Sequence, residues 1–209
     1  MVIRLSDKRY PAISIQKKTG KETFLNGVDG LHKTLYDFWA WAFSDLVGNT
    51  ERGKLAEFIV AMAVSATDGI SGSWESYDLL SSDGIRIEVK ASAYLQSWAQ
   101  KELSQIRFGI RPTHAWDSKE NTYDDSLLRQ ADVYVFCVLK HKNQDTLNPL
   151  DLSQWEFFTL SSKALDQAIG NQKSISLNRL ISLGAIKSDF SGLGQAIRQH
   201  YAGLKDYGK

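Results

Sequence analysis

Residues 74–92 read Trp-Glu-Ser-Tyr-Asp-Leu-Leu-Ser-Ser-Asp-Gly-Ile-Arg-Ile-Glu-Val-Lys-Ala-Ser. Asp83-Gly84, set between two runs rich in apolar residues, predicts a β-hairpin. With Ser82, Asp83 and Gly84 as a three-residue loop, Gly84 takes the left-handed position at the bulge. Ser81 then opposes Ile85, and Asp78 opposes Glu88. Side chains alternate along a strand, so Tyr77, Leu79, Ile85, Ile87 and Val89 share a core face. Asp78, Arg86, Glu88, Lys90 and Ser92 share the other. A two-residue loop would split Asp78 and Glu88 and put one of them on the core face.

Two carboxylates opposed across strands repel each other, at a cost of roughly 0.2 to 1 kcal/mol. Such a pair calls for a cation between its members or a proton on one. Mg²⁺ is a hard ion, often held by one or two carboxylates together with waters and substrate phosphates. Lys90, two residues beyond Glu88 on the same face, can neutralise the pair, position a water or stabilise charge on a phosphate. An ordinary amphipathic hairpin with a charged solvent face is the plain alternative.

Working outward, residues 1–30 are polar, rich in lysine and glycine, and read as an arm. Residues 31–48 predict a helix with Leu31, Leu35, Phe38, Trp39, Ala42, Phe43 and Leu46 packed in the core. Asn49 or Thr50 is a candidate N-cap for a second helix over residues 50–67. That helix is apolar nearly all round, which predicts burial. Glu57 is its one charge between Leu55 and Ala66, and a buried acid is rarely left without a partner. Lys54 and Arg52 are the candidate partners.

Residues 94–111 interleave aromatics and bases, including Tyr94, Trp98, Lys101, Arg107 and Arg111. Such a stretch suits a phosphate backbone, and Ser92 is a further candidate phosphate contact. Ile106 to Arg111 alternates like a strand. Residues 112–130 read as a long loop carrying His114, and Ala131 to Leu139 as a strand buried on both faces. Trp155 to Leu160 reads as a further strand. Helices are predicted over residues 161–169, 176–183 and 191–203, with Gly184 and Gly203 as stops. The order implies an α/β chain with a central mixed sheet flanked by helices.

The 209 residues, 43% hydrophobic, suit a single domain with a sizeable core. It divides into an arm (1–30), a core (31–183) and a C-terminal helical extension (184–209). A net charge of +1 excludes a general polyanion binder, so any nucleic-acid surface is a local patch. The single cysteine, Cys137, lies in an apolar run and fits a reducing compartment. The start of the chain lacks the apolar segment of a signal peptide, and no apolar stretch spans a bilayer, which predicts a cytoplasmic protein. One cysteine and four scattered histidines offer no zinc site, and no phosphate-loop or dinucleotide fingerprint is present.

Asp78, nine intervening residues, and then Glu88-Val89-Lys90 resemble the core motif of the PD-(D/E)XK nuclease superfamily, which includes many restriction endonucleases and DNA-repair nucleases. The usual proline before the aspartate is Tyr77 here. The chain also resembles a group of uncharacterised bacterial proteins that share Asp-Phe-Trp, Glu-Val-Lys and Ala-Asp-Val-Tyr-Val-Phe; this covers roughly residues 31–183. The resemblance implies a restriction-endonuclease-like core and Mg²⁺-dependent cleavage of DNA by a metal-activated water, with Mn²⁺ as a substitute ion. It implies Asp78, Glu88 and the Val89 carbonyl as metal ligands, Lys90 orienting the water, and Glu57 on the preceding helix completing the site. Lys101, Arg107, Arg111 and Ser92 would contact the substrate. A homodimer is compatible with the sequence. The competing readings are a catalytically silent nucleic-acid-binding module on the same scaffold and a protein-interaction domain. Metal dependence separates the first reading from both.

Overall fold

The computed structural model describes Tyr10 and residues 13–72, 76–117 and 122–206. Most of the predicted arm up to residue 12, Trp74, Glu75 and part of the predicted 112–130 loop lie outside the described residues. The elements run β1 (Thr23–Asn26), β2 (Asp29–Thr34), α1 (Leu35–Phe43), α2 (Asn49–Ala63), β3 (Leu79–Leu80), β4 (Arg86–Ala93), β5 (Arg107–Gly109), β6 (Thr113–Asp117), β7 (Thr122–Leu128), β8 (Val133–Leu139), β9 (Trp155–Ser161), α3 (Ser162–Ile169), β10 (Ser174–Ser176), α4 (Leu177–Ser182), β11 (Ile186–Ser188) and α5 (Phe190–Asp206).

The central sheet has five strands in the order β11-β9-β8-β4-β3. β4 and β8 are parallel and the other pairs antiparallel, so the sheet is mixed as predicted. All seven residues of β8 are buried because its two faces feed two cores. Val133, Val135, Cys137 and Leu139 join one core with Ile59 and Val60 of α2 and Leu193 and Ile197 of α5. Tyr134, Phe136 and Val138 join the other with Phe108, Leu165, Ile175 and Leu180. Cys137 is a free buried thiol, and burial raises its pKa. Arg86 fixes the start of the parallel pair: its backbone N–H and side-chain Nε donate to Asp132 Oδ2 at 3.0 and 3.1 Å, and its Nη2 donates to Oδ1 at 2.6 Å.

The hairpin has the predicted loop. Ser81 N–H donates to the Ile85 carbonyl at 3.0 Å, Gly84 N–H donates to the Ser81 carbonyl at 3.0 Å, and Gly84 has φ +78°. Leu79 pairs with Ile87 and Leu80 with Arg86. Ile85, Ile87 and Val89 enter the α2–α5 core as expected. Tyr77 does not. Regular pairing begins only at Leu79, and the Tyr77 ring packs against the opposite core.

Other expectations are corrected. Residues 31–34 belong to a β-hairpin, so the first helix starts at Leu35. Thr34 caps it, accepting from Asp37 N–H while the Asp37 carboxylate accepts from Thr34 N–H at 2.8 Å. The aromatic residues of α1 are not core, since no residue of the helix is buried. α2 ends at Ala63 rather than near residue 67, with Phe58 and Met62 of its apolar surface 54% and 38% exposed. The 112–130 stretch is not a loop but contains the antiparallel β6–β7 ribbon. Gly203 lies inside α5 rather than ending it, whereas Gly184 does follow α4 in the left-handed region. Residues 106–111 alternate as predicted, but β5 pairs with β10 outside the central sheet. The segment read as a C-terminal extension contributes Leu193, Ala196 and Ile197 to the buried interior.

Candidate active site

The turn at Gly84 sets the register that builds the site. Regular pairing stops at the Leu79–Ile87 rung, and beyond it Asp78 N–H donates to the Ile87 carbonyl at 3.0 Å. Asp78 Oδ2 in turn accepts from Val89 N–H at 2.7 Å. The N–H and carbonyl of one strand residue leave the strand on the same side, so the Val89 carbonyl also faces the Asp78 side.

Glu88 and Lys90 alternate onto the face of β4 that looks toward Tyr134 and Phe136, their neighbours on β8. Their side chains form an ion pair, 20% and 31% exposed respectively. Burial raises the Glu88 pKa against the lowering effect of Lys90, and the charges of Asp78 and Glu57 raise it further. Three acids from α2, β3's approach and β4 therefore share one electrostatic neighbourhood. The same negative field, after burial, raises the Tyr134 hydroxyl pKa.

Glu57 comes from α2. Its Oε2 lies 2.6 Å from Lys54 Nζ and accepts from the Ser71 hydroxyl at 3.2 Å, while Lys54 also donates to Ser71 at 2.9 Å. Lys54, weighed from the sequence, is thus its partner. Arg52 is not: it is buried and donates to the Val47 carbonyl, Asn49 and Gln96. Ser71 was missed, because nothing local marks a loop serine as the neighbour of a helix glutamate.

All the oxygen donors here are hard, which suits Mg²⁺ and not a thiolate- or imidazole-seeking ion. Among the described residues no group of three or more His, Cys, Asp or Glu is arranged to hold an ion. Asp78 and Glu88 offer carboxylate oxygens, while the Glu57 carboxylate is engaged by Lys54 and Ser71.

The four candidate substrate contacts are spread out. Ser92 is buried at 9% exposure beside Val138 on the β4 face that carries Glu88 and Lys90. Arg107 and Arg111 are exposed on the outward side of the 106–111 segment, and Arg107 donates to Ser174 at 3.2 Å. Lys101 borders a separate hollow with Glu102, Lys142 and Asp145. None of these four lines the groove beside Asp78 and Glu57.

The model of the bacteriophage T4 endonuclease IV family matches residues 8–179. The chain belongs to the bacteriophage T4 endonuclease IV family. The match takes in α2, the Asp78–Glu88 hairpin and β8, and stops inside α4. The nuclease expected from the sequence is therefore right at the level of the family. No curated protein matches the chain. Among the described residues no helix is long and apolar enough to cross a membrane.

Proposed function

We propose that the protein is a Mg²⁺-dependent endonuclease of the PD-(D/E)XK type acting on DNA. The observation that carries this reading is the pairing of Asp78 with the Glu88-Val89-Lys90 segment through the Val89 N–H···Asp78 hydrogen bond. It holds two carboxylates and a lysine on one hairpin, with the Glu57 charge acting on Glu88.

Asp78 and Glu88, with the Val89 carbonyl, would hold the ion. The ion would polarise a phosphoryl oxygen and lower the pKa of a bound water. Lys90 is paired with Glu88. With Glu88 serving as a ligand, the Lys90 ammonium would orient the attacking water and stabilise charge developing on the phosphate. Glu57, already hydrogen-bonded to Ser71, would orient water in the outer shell. Arg107 and Arg111 would neutralise phosphates away from the cut.

The test is cleavage of plasmid DNA, single-stranded DNA and RNA in Mg²⁺, Mn²⁺ and EDTA. Wild type should cut DNA in Mg²⁺ and be silent in EDTA. Asp78→Ala, Glu88→Ala and Lys90→Ala should each remove cleavage. Full activity in any one of the three variants, or in EDTA, would overturn the assignment. A second reading, a silent nucleic-acid-binding module, draws on the lysine partners of Glu88 and Glu57. It predicts salt-dependent binding with no cleavage in any ion.

A further inference from the structure

A groove of about 910 Å³ opens beside Asp78 and Glu57, both of which contribute to its wall. The rest of the wall comes from segments distant in sequence. Trp39 and Phe43 project from α1, Phe58 from α2, and Tyr77 directly precedes Asp78; Lys17 and Lys54 supply cations. Trp39 is 36% exposed, Phe43 45% and Phe58 54%, so the aromatic surface is open to a ligand.

The wall is braced. Lys17 Nζ donates to the carbonyls of Thr67 and Asp68 at 2.9 and 3.2 Å, which ties the segment before β1 to the loop after α2. Gly20 is buried with φ +89°, and a Cβ there would stand 3.0 Å from the Trp39 ring. Tyr36 N–H donates to the Gly20 carbonyl at 2.9 Å, fixing α1 against this turn. The indole is thus held on one side by backbone and open on the other.

Flat aromatic faces, two cations and an acidic pair at one end form an unusual lining. Aromatic side chains take nucleobases by stacking, and lysines take the phosphates that flank them. A stacked base inside a helix cannot reach such a surface, so the base must leave its stack. The volume lies within the range of clefts that bury a small ligand, about 300–1,000 Å³. We infer that the groove receives one nucleobase of the substrate strand, unstacked and held against Trp39 and Phe43, with the adjoining phosphate delivered to the Asp78 end of the groove. This rests on the nuclease reading and adds to it the residues that read the substrate next to the cut.

The experiment uses the full chain and DNA oligonucleotides in which one position carries either its base or a base-free deoxyribose, scanned along the strand. Binding is measured by fluorescence anisotropy in Ca²⁺ and cleavage in Mg²⁺, for wild type, Trp39→Ala, Trp39→Phe and Phe43→Ala. At one position beside the cut, base removal should weaken wild-type binding by about 5- to 150-fold. The same base removal should matter far less to Trp39→Ala and Phe43→Ala, and Trp39→Phe should keep most of the wild-type response. The Mg²⁺-induced rise in Tm should be equal in all four proteins. Equal losses in wild type and variants at every position would overturn the groove assignment. So would loss of a homodimer in Trp39→Ala, seen by sedimentation, without any base coupling, because a second copy would then be what covers the wall. Coupling in binding with no cleavage in Mg²⁺ would sink the catalytic reading and leave the groove standing. Cleavage without coupling would sink the groove alone, and a wild type that binds none of the oligonucleotides would sink both.

Discussion

The backbone N–H of Val89 donates to the Asp78 carboxylate over 2.7 Å, so the acid on one arm of the hairpin is fastened to the other arm next to Glu88. A carboxylate on a free loop could turn away from a neighbouring anion. Asp78 cannot do so without giving up a charge-assisted hydrogen bond. Burial first, and then the Asp78 charge, push the Glu88 pKa up against the pull of Lys90.

Asp78→Asn preserves an oxygen that accepts from Val89 N–H and removes the charge beside Glu88. It should stabilise the metal-free protein by up to about 1 kcal/mol, the scale of an opposed cross-strand pair. Metal should reverse the order. For a Kd of about 1 mM, about 10 mM Mg²⁺ adds roughly 1.4 kcal/mol to wild type, a rise of about 3 to 6 °C in Tm at this chain length. The variant should lose most of that rise. Melts of both proteins in EDTA, Mg²⁺ and Ca²⁺ decide it. A variant less stable in EDTA with an undiminished Mg²⁺ response would mean that the carboxylates do not share an ion.

Glu57 has two possible duties, and they predict different things. As half of an ion pair whose lysine is 51% exposed, it contributes about 0.2–1 kcal/mol. As part of the site, Glu57→Gln should reduce cleavage at least about tenfold, within the range for a group that positions a reacting water. Lys54→Met should cost the same small stability and leave more activity than Glu57→Gln. Wild-type cleavage by Glu57→Gln would reduce the residue to its ion pair.

The Arg86–Asp132 pair gives a pH signature outside the site. Burial raises the Asp132 pKa, but the Arg86 hydrogen bonds and charge outweigh burial and hold it below the usual carboxylate range. A depressed folded pKa means stability that is present above the unfolded value and is lost as pH falls through the folded one. Arg86→Gln should therefore cost roughly 1 kcal/mol at neutral pH, discounted for an arginine 48% exposed. The difference from wild type should close as pH falls below about 4. Denaturant melts across that range check it; a gap as wide in acid as at neutral pH would mean that packing, not charge, is what Arg86 supplies.

Lys101, Arg107 and Arg111 are proposed each to add one phosphate contact to the salt dependence of binding. Each true phosphate contact removed should reduce the log–log salt slope on duplex DNA by about 0.9. Because Arg107 and Arg111 lie together on the exposed side of one segment, we expect Arg107→Gln and Arg111→Gln to act on the slope more than Lys101→Gln. Slopes unchanged by all three would remove this stretch from the interface.

The hairpin and its three-residue loop were legible in the sequence because they depend on local chemistry. Gly84 is the residue that tolerates φ +78°, which fixes the loop length, and the loop length fixes which side chains oppose. The buried strand at Val133–Leu139 was legible for a similar reason, since an unbroken apolar run needs cover on both faces. Other features were decided elsewhere in the chain. The aromatic spacing of Leu35–Phe43 marks a helix but cannot say whether another element covers it, and in this fold none buries any residue of that helix. Which cation neutralises Glu57 was open among near neighbours until the loop carrying Ser71 came back across α2. The groove itself joins Lys17, Trp39, Phe58 and Asp78, and no periodicity links such positions. The sequence by itself determined the hairpin and its loop, through turn geometry and alternation. Only the tertiary structure decided what stands beside that chemistry, because burial and proximity depend on which distant segments pack together.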